Sequence, residues 1–394
     1  MGLNDTPKGE RIHIGILGRR NAGKSSIINA ITNQNLAIVS DVKGTTTDPV
    51  SKAMELFPLG PVVIIDTPGL DDVGSLGEKR IEKAYQVLNK TDIALLILDA
   101  EYGLTDVDKE LLKLIKEKNI PYIILMNKSD ILSDDKKNNE FIYVSTKTGE
   151  NIKELKELIA KKAPKGNEKV IVSDLINKGD KVILVIPIDK AAPKGRLILP
   201  QQQTIRDILD KGAVSIMCKE DELKNTINSL KEKPSLVITD SQAFKSVDKD
   251  TPKDIPLTSF SILFARFKGE IDVLIDGVRK IKDLDNSDTI LISEGCTHHR
   301  QCGDIGSEKI PKWLKDFTGK DLKFEFSSGT EFPRDLSKYA LVVHCGGCML
   351  NEEEMKHRIK YAVDNGVNIV NYGILIAYLN GILERAVEPL GIKL

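Results

Sequence analysis

Gly18-Arg19-Arg20-Asn21-Ala22-Gly23-Lys24-Ser25 follows a β-rich run, Arg11–Leu17, and precedes the apolar positions Ile27, Ile28, Ala30 and Ile31. The eight residues fit G-x-x-x-x-G-K-[ST], a strand-to-helix turn whose backbone N–H groups cradle phosphate oxygens. Glycine permits the close approach that such a turn needs. Lys24 is expected on the β- and γ-phosphates and Ser25 on Mg²⁺, with Ser26 beside it in the first helical turn. A glycine-rich turn that binds nothing could have the same spelling, so the weight falls on what comes after it.

Asp66-Thr67-Pro68-Gly69 follows the short apolar run Val62–Ile65. A carboxylate at that strand end suits indirect support of Mg²⁺, and the Gly69 N–H suits a γ-phosphate. Asn127-Lys128-Ser129-Asp130 follows the run Tyr122–Met126. The Asp130 carboxylate offers two acceptors to the N1–H and N2–H₂ of guanine, donors that adenine lacks. Asn127 and the Lys128 stem brace that loop. Ser145-Thr146-Lys147 ends the run Phe141–Val144, which brings its backbone near guanine O6. Gly44-Thr45-Thr46-Thr47-Asp48 lies where a switch would offer a threonine to Mg²⁺ and γ-phosphate, and Thr46 is the residue taken for it. Four motifs in this order, each at the carboxyl end of a strand, predict a site for GTP with Mg²⁺.

The chain has 394 residues, which at ~150 residues per domain suggests two or three domains. A formal charge of −1 argues against nucleic acid held by bulk basicity. No apolar run reaches the ~18 residues of a membrane span, and Met1–Glu10 lacks the apolar core of a signal peptide. The expectation is a cytoplasmic protein with neither membrane nor nucleic acid as partner.

Strand-like runs alternate with the helical patterns Glu78–Leu88, Asp106–Lys118 and Glu150–Lys162, which predicts an α/β fold with a parallel sheet covered on both faces. Ala163–Lys169 reads as a linker. Lys181–Ile186, Val214–Met217 and Leu236–Thr239 then read as strands, with helices at Gln201–Lys211 and Glu220–Lys231. Asp248–Pro256 reads as a second break. Beyond it, Thr289–Ser293, Leu341–His344 and Asn368–Asn371 read as strands, with helices at Ile271–Ile281, Glu352–Asn365 and Ile374–Ala386. The expected domains are 1–165, 166–262 and 263–394.

Four of the five cysteines, Cys296, Cys302, Cys345 and Cys348, crowd the last hundred residues beside His298, His299 and His344. Cys296-Thr297-His298 and His344-Cys345-Gly346-Gly347-Cys348 each follow an expected strand, so a common sheet rim brings the two halves together. Zinc held by three cysteines and one histidine fits this set. So does an iron–sulfur cluster on three cysteines whose fourth iron goes to His298, His344 or another ligand. Cys218 reads as a core residue and Cys302 as the weaker ligand candidate.

The nucleotide motifs resemble the translation-factor-related GTPases over residues 10–162, above all the branch containing Era and the tRNA-modifying MnmE. In that branch an Asn at the position of Asn21 helps hold K⁺ beside the phosphates. Leu70 stands where Ras-type GTPases carry the water-positioning Gln. The resemblance therefore implies slow, K⁺-stimulated GTP hydrolysis with Lys24, Thr46 and Asn21 in catalytic roles. Asp71 and Asp72 are candidates for a base by nearness alone.

A GTPase part, a middle α/β part and a C-terminal C-x-H…H-C-x-x-C unit together resemble the HydF family, the GTPase and scaffold among the FeFe-hydrogenase maturases, over the whole chain. That resemblance implies a 4Fe–4S cluster on Cys296, Cys345 and Cys348, and a middle domain that makes a homodimer. It implies a transient diiron precursor delivered to apo FeFe-hydrogenase alongside the other maturases. The competing reading is a ribosome- or tRNA-associated GTPase with a C-terminal zinc site.

Overall fold

The computed structural model describes residues 8–32, 50–67, 84–132, 137, 141–164, 170–188, 197–295, 304–329 and 331–394. The chain divides into two compact units, Met1–Asn167 and Glu168–Leu394. The architecture is α/β throughout, as expected.

The first unit holds β1 (Ile12–Leu17), β2 (Val50–Leu56), β3 (Gly60–Asp66), β4 (Ile93–Asp99), β5 (Tyr122–Asn127) and β6 (Ile142–Val144), in the sheet order β2-β3-β1-β4-β5-β6. Among the described strands only β2 runs antiparallel, against β3. β4 is buried at every position, as a central parallel strand covered on both faces should be. The helices Lys24–Thr32 and Ile152–Lys162 pack Ile27, Ile28, Ile31, Leu155 and Ile159 on one face. The helix Asp106–Glu117 packs Leu111, Leu114 and Ile115 on the other. Because β1 sits between β3 and β4, the chain crosses in opposite directions on its two sides. The glycine-rich turn therefore leaves the sheet where the strand order reverses, the position at which open α/β sheets bind ligands. The edge strand β2 is silent in the sequence, since its polar and apolar residues form no sustained alternation. Of the expected helix Glu78–Leu88, the described part is helical.

The second unit holds two parallel sheets. β7 (Lys181–Val185), β8 (Val214–Cys218), β9 (Leu236–Thr239) and β10 (Leu257–Ser259) lie in the order β10-β9-β7-β8. β11 (Thr289–Glu294), β12 (Lys323–Ser328), β13 (Leu341–His344) and β14 (Asn368–Asn371) lie in the order β12-β11-β13-β14. One apolar core runs through both, from Ile183 and Val237 to Leu291, Val342 and Val370. The helix Phe260–Lys268, capped by the Ser259 hydroxyl accepting from the Ile262 N–H, is buried at Phe260, Ile262, Leu263, Phe264 and Ala265. It packs against the helices Ile271–Asp276, Glu352–Asp364 and Tyr372–Leu379 and runs across position 262/263.

Three local expectations need correction. The helix expected over Ile271–Ile281 is α-helical only to Asp276 and continues as a 3₁₀ segment, Gly277–Asp283. A Cβ on Gly277 would lie 2.1 Å from the Ile369 carbonyl oxygen, so only glycine allows β14 to pass there. The helix expected over Ile374–Ala386 is two, Tyr372–Leu379 and Leu383–Val387. Between them Gly381, at φ +69°, donates to the Tyr378 carbonyl while the Ile382 N–H bonds Ala377, a left-handed helix stop. The break expected over Asp248–Pro256 begins inside the helix Phe244–Asp250. No helix among the described residues is long and apolar enough to cross a membrane.

Candidate functional site

β1 delivers the turn Gly18–Gly23 to the carboxyl rim, and the helix beginning at Lys24 leaves it. Gly18 is at φ +144°, and a Cβ there would fall 2.3 Å from the Ile97 carbonyl oxygen. Gly23 is at φ +90°, and a Cβ there would meet Asn127 Nδ2 at 2.0 Å. The Lys24 ammonium donates to the carbonyls of Gly18 (2.9 Å) and Arg19 (2.8 Å) and is buried inside the loop it closes. Asn21 adopts a left-handed conformation, φ 63°, and is exposed, as are Arg20, Ser25 and Ser26. The Arg19 guanidinium lies 3.4 Å from the buried Asp108 carboxylate and stacks over the Tyr102 ring at 5.6 Å.

Asp66 ends β3, paired in register with Ile16 of β1. Burial pushes its carboxyl up to about 6, and the Lys24 charge offsets part of that rise. Its Oδ1 is buried without a hydrogen-bond partner. An orphaned carboxylate oxygen beside the loop lysine suits the water shell of Mg²⁺, so the residues present fit the ion. Thr46 and Gly69 lie outside the described residues, as do Leu70, Asp71 and Asp72.

At the base end, Asn127 Nδ2 donates to the Ala22 carbonyl at 3.0 Å. The Ser145 hydroxyl donates to Asp130 Oδ1 at 2.7 Å and holds that carboxyl below its usual range. Lys147 Nζ lies 3.8 Å from Asp130 Oδ2, and Thr146 stands between Ser145 and Lys147 in sequence. Lys128, at φ 65°, donates to Asp99 Oδ2 at 2.5 Å, and the Ser129 hydroxyl donates to Glu150 Oε2 at 2.6 Å. Asp99 and Glu150 do not stand out in the sequence, because nothing sets them apart from other surface acids there.

The second cluster of interest lies at the rim of β11 and β13. The Cys345 N–H donates to the Ser293 carbonyl at 2.9 Å. Its sulfur accepts the N–H groups of Gly295 (3.0 Å) and Gly347 (3.4 Å). Backbone donors aimed at sulfur favour the thiolate, the form that binds soft metals, so this half of the motif fits an iron–sulfur or zinc ligand set. Gly347 is at φ +60°, and a Cβ there would meet Met355 Sδ at 2.4 Å. Cys348 follows three positions after Cys345. Among the described residues no group of three His, Cys, Asp or Glu side chains is gathered, and Cys296, His298, His299 and Cys302 lie outside them. Cys218 is partly buried against the core, and burial pushes its thiol up.

His344 is fully buried with both ring nitrogens engaged. Arg358 Nη1 lies 3.0 Å from Nε2, and the Cys345 carbonyl lies 2.7 Å from Nδ1. A guanidinium can only donate, so Nε2 accepts and Nδ1 carries the proton. Burial, with the Arg358 charge adding to it, lowers the imidazole to about 3, so the ring is neutral. Its geometry suits support of the Cys345 backbone and leaves neither nitrogen free for a metal. Arg358, also fully buried, donates to Glu354 (2.9 Å) and Gly329 (2.8 Å) and lies over the Phe332 ring. Neither Arg358 nor Glu354 is conspicuous in the sequence, where they look like an ordinary i, i+4 surface pair.

Three family models match the chain. Residues 13–128 match one described as a 50S ribosome-binding GTPase. Residues 171–269 match the hydrogen maturase F dimerization domain, and 272–389 the hydrogen maturase F tetramerization domain. The last two together span more than half of the chain. A tRNA modification GTPase MnmE from Desulforamulus reducens is 43% identical over 117 residues, 29% of this chain and 25% of that protein. Another, from Aliarcobacter butzleri, is 38% identical over 170 residues, 42% of this chain and 38% of that one. The chain thus spans well under half the length of these curated relatives. An Era structure from Aquifex aeolicus aligns at TM-score 0.34 with 22% identity, covering 52% of this chain and 91% of that one.

Proposed function

Because the chain belongs to the HydF family of hydrogenase maturation GTPases, we propose that it is a GTP-hydrolysing scaffold. It holds a 4Fe–4S cluster and delivers a diiron precursor to apo FeFe-hydrogenase, working with the other maturases. The observation that carries this reading is the pairing of Lys24, Asp66, Asn127 and Asp130 at one sheet rim in one unit with a Cys345 sulfur met by backbone N–H groups of Gly295 and Gly347 in the other.

In this reading residues 1–165 bind and hydrolyse GTP. The loop Gly18–Ser26 wraps the phosphates, and Ser25, Thr46 and Asp66 surround Mg²⁺. Gly69 donates to the γ-phosphate, Asn127, Lys128 and Asp130 take the guanine, and Ser145, Thr146 and Lys147 close its O6 edge. Hydrolysis is slow and K⁺-stimulated through Asn21. Residues 166–262 pair the chain with a second copy, and 263–394 hold the cluster on Cys296, Cys345 and Cys348. When bound, a cluster on three thiolates supplies one iron that exchanges ligands. His298, two positions after Cys296 in sequence, is the candidate to meet that iron, and His344 would support the Cys345 loop through the Cys345 carbonyl.

The test is metal, sulfide and visible-absorption analysis of the anaerobically purified chain, with guanosine triphosphate turnover measured in K⁺ and in Na⁺. Brown protein with four irons and GTP-specific turnover supports the reading. Colourless protein carrying one zinc overturns the scaffold part and favours a GTPase with a structural zinc site.

A further inference from the structure

Lys268 ends the helix Phe260–Lys268 and is 3% exposed. Its ammonium donates to three carbonyls of one loop: Gly347 (3.3 Å), Cys348 (3.3 Å) and Leu350 (3.0 Å). Burying an ammonium is expensive, and its three donors here are directed at the backbone that carries Cys348 and leads out of Cys345. On the amino side of the same loop, Cys345 is held by the Ser293 carbonyl, and its sulfur by the Gly295 and Gly347 N–H groups. The loop is thus clamped at both ends. One clamp belongs to the β11–β13 rim. The other is a charged side chain from the segment that matches the dimerization-domain model.

We propose that Lys268 is a positioning residue for the Cys345–Cys348 loop. It presets the loop's shape before any metal arrives, and its buried positive charge offsets the negative charge of thiolates gathered there. The inference rests on the reading of Cys345 and Cys348 as cluster ligands, and its first half can be tested without metal. At close range in a buried site, one fixed cation changes the balance between the oxidised and the more negative reduced form. A neutral side chain of similar length keeps the packing but supplies neither the charge nor the three hydrogen bonds.

The full-length chain is compared with Lys268→Met and Lys268→Arg, each checked for folding by circular dichroism. In the metal-free proteins, amide hydrogen exchange over residues 345–350 should speed up about tenfold in both variants, because methionine donates nothing and a planar guanidinium cannot converge on the three carbonyls that one ammonium reaches. Peptides from β14 should be unchanged. After anaerobic reconstitution with iron and sulfide, Lys268→Met should lose iron to a chelator faster and titrate at a more negative potential. Lys268→Arg, which keeps the charge, should titrate close to the unaltered chain. Unchanged exchange over 345–350 in either folded variant overturns the positioning role. If Lys268→Met does not fold, the exchange rate of Lys268→Arg decides that role. An unshifted potential in Lys268→Met overturns the electrostatic role. An unaltered chain that takes up no cluster refutes the cluster reading instead, and the exchange measurement still decides whether Lys268 holds the loop.

Discussion

The side-chain amide of Asn127 donates to the backbone carbonyl of Ala22 at 3.0 Å, joining two segments that lie 105 residues apart. Ala22 belongs to the glycine-rich turn after β1, and Asn127 is the last residue of β5, where the stretch Asn127–Asp130 begins. The link fixes the spacing of these two segments, which are the two ends of the proposed nucleotide site.

Asn127→Ala should therefore weaken guanosine diphosphate and triphosphate alike, by about 1–3 kcal/mol, since the Ala22 carbonyl is left buried without its partner. Gly23→Ala should do the same by another route, because its Cβ would displace the Asn127 amide. Titration with a fluorescent guanine nucleotide checks both. Wild-type affinity in Asn127→Ala would show that the link carries no energy.

Asp66 gives a pH signature. Burial raises its carboxyl to about 6 in the fold, from an ordinary value of 3.8. Between those two values the folded chain binds the proton and the unfolded chain does not. Stability therefore falls as pH rises through that window, and the whole penalty is present above 6. Asp66→Asn should stabilise the nucleotide-free chain above pH 6 by about 3 kcal/mol, and the gain should vanish below 3.8. It should at the same time weaken Mg²⁺-dependent nucleotide binding. Thermal unfolding in chelator across that pH range is the measurement.

Arg358 and Glu354 form a buried pair, with side chains 0% and 4% exposed. Arg358→Met alone should cost about 3–5 kcal/mol, since it strands a buried carboxylate. The double variant Arg358→Met, Glu354→Met should recover part of that loss. Calorimetric unfolding of the full chain reads this, and a double variant as unstable as the sum of the singles would exclude coupling.

His344→Gln and Cys345→Ser should part company. Both His344 nitrogens are engaged with protein groups, so on the proposed cluster reading His344→Gln should keep the iron content while altering the electron-paramagnetic spectrum. Cys345→Ser should lose the iron and retain GTP turnover. Iron assay with spectroscopy distinguishes them, and loss of iron in His344→Gln would show that the buried ring is required for iron binding.

The nucleotide rim is legible in the order of amino acids because its information is local. Gly18–Ser25, Asp66 and Asn127–Asp130 are short contiguous strings, each fixed by backbone geometry at the end of an apolar strand. The fold class follows from the alternation of such strands with amphipathic helices. The helix stop at Asn380-Gly381 is legible in principle but masked by the apolar run on either side of it. Strand β2 leaves little trace because an edge strand needs only a weak pattern.

The strings also place Cys345 and Cys348 in one strand-end loop with His344 next to them. What that loop rests on is decided by the tertiary structure alone. Lys268 lies some eighty residues before the carbonyls it binds, and Arg358 fourteen after the imidazole it meets. In the linear chain both read as solvent-facing charges at helical spacing. Whether a charge is buried depends on partners brought from elsewhere in the fold, because desolvation is met only by three-dimensional company.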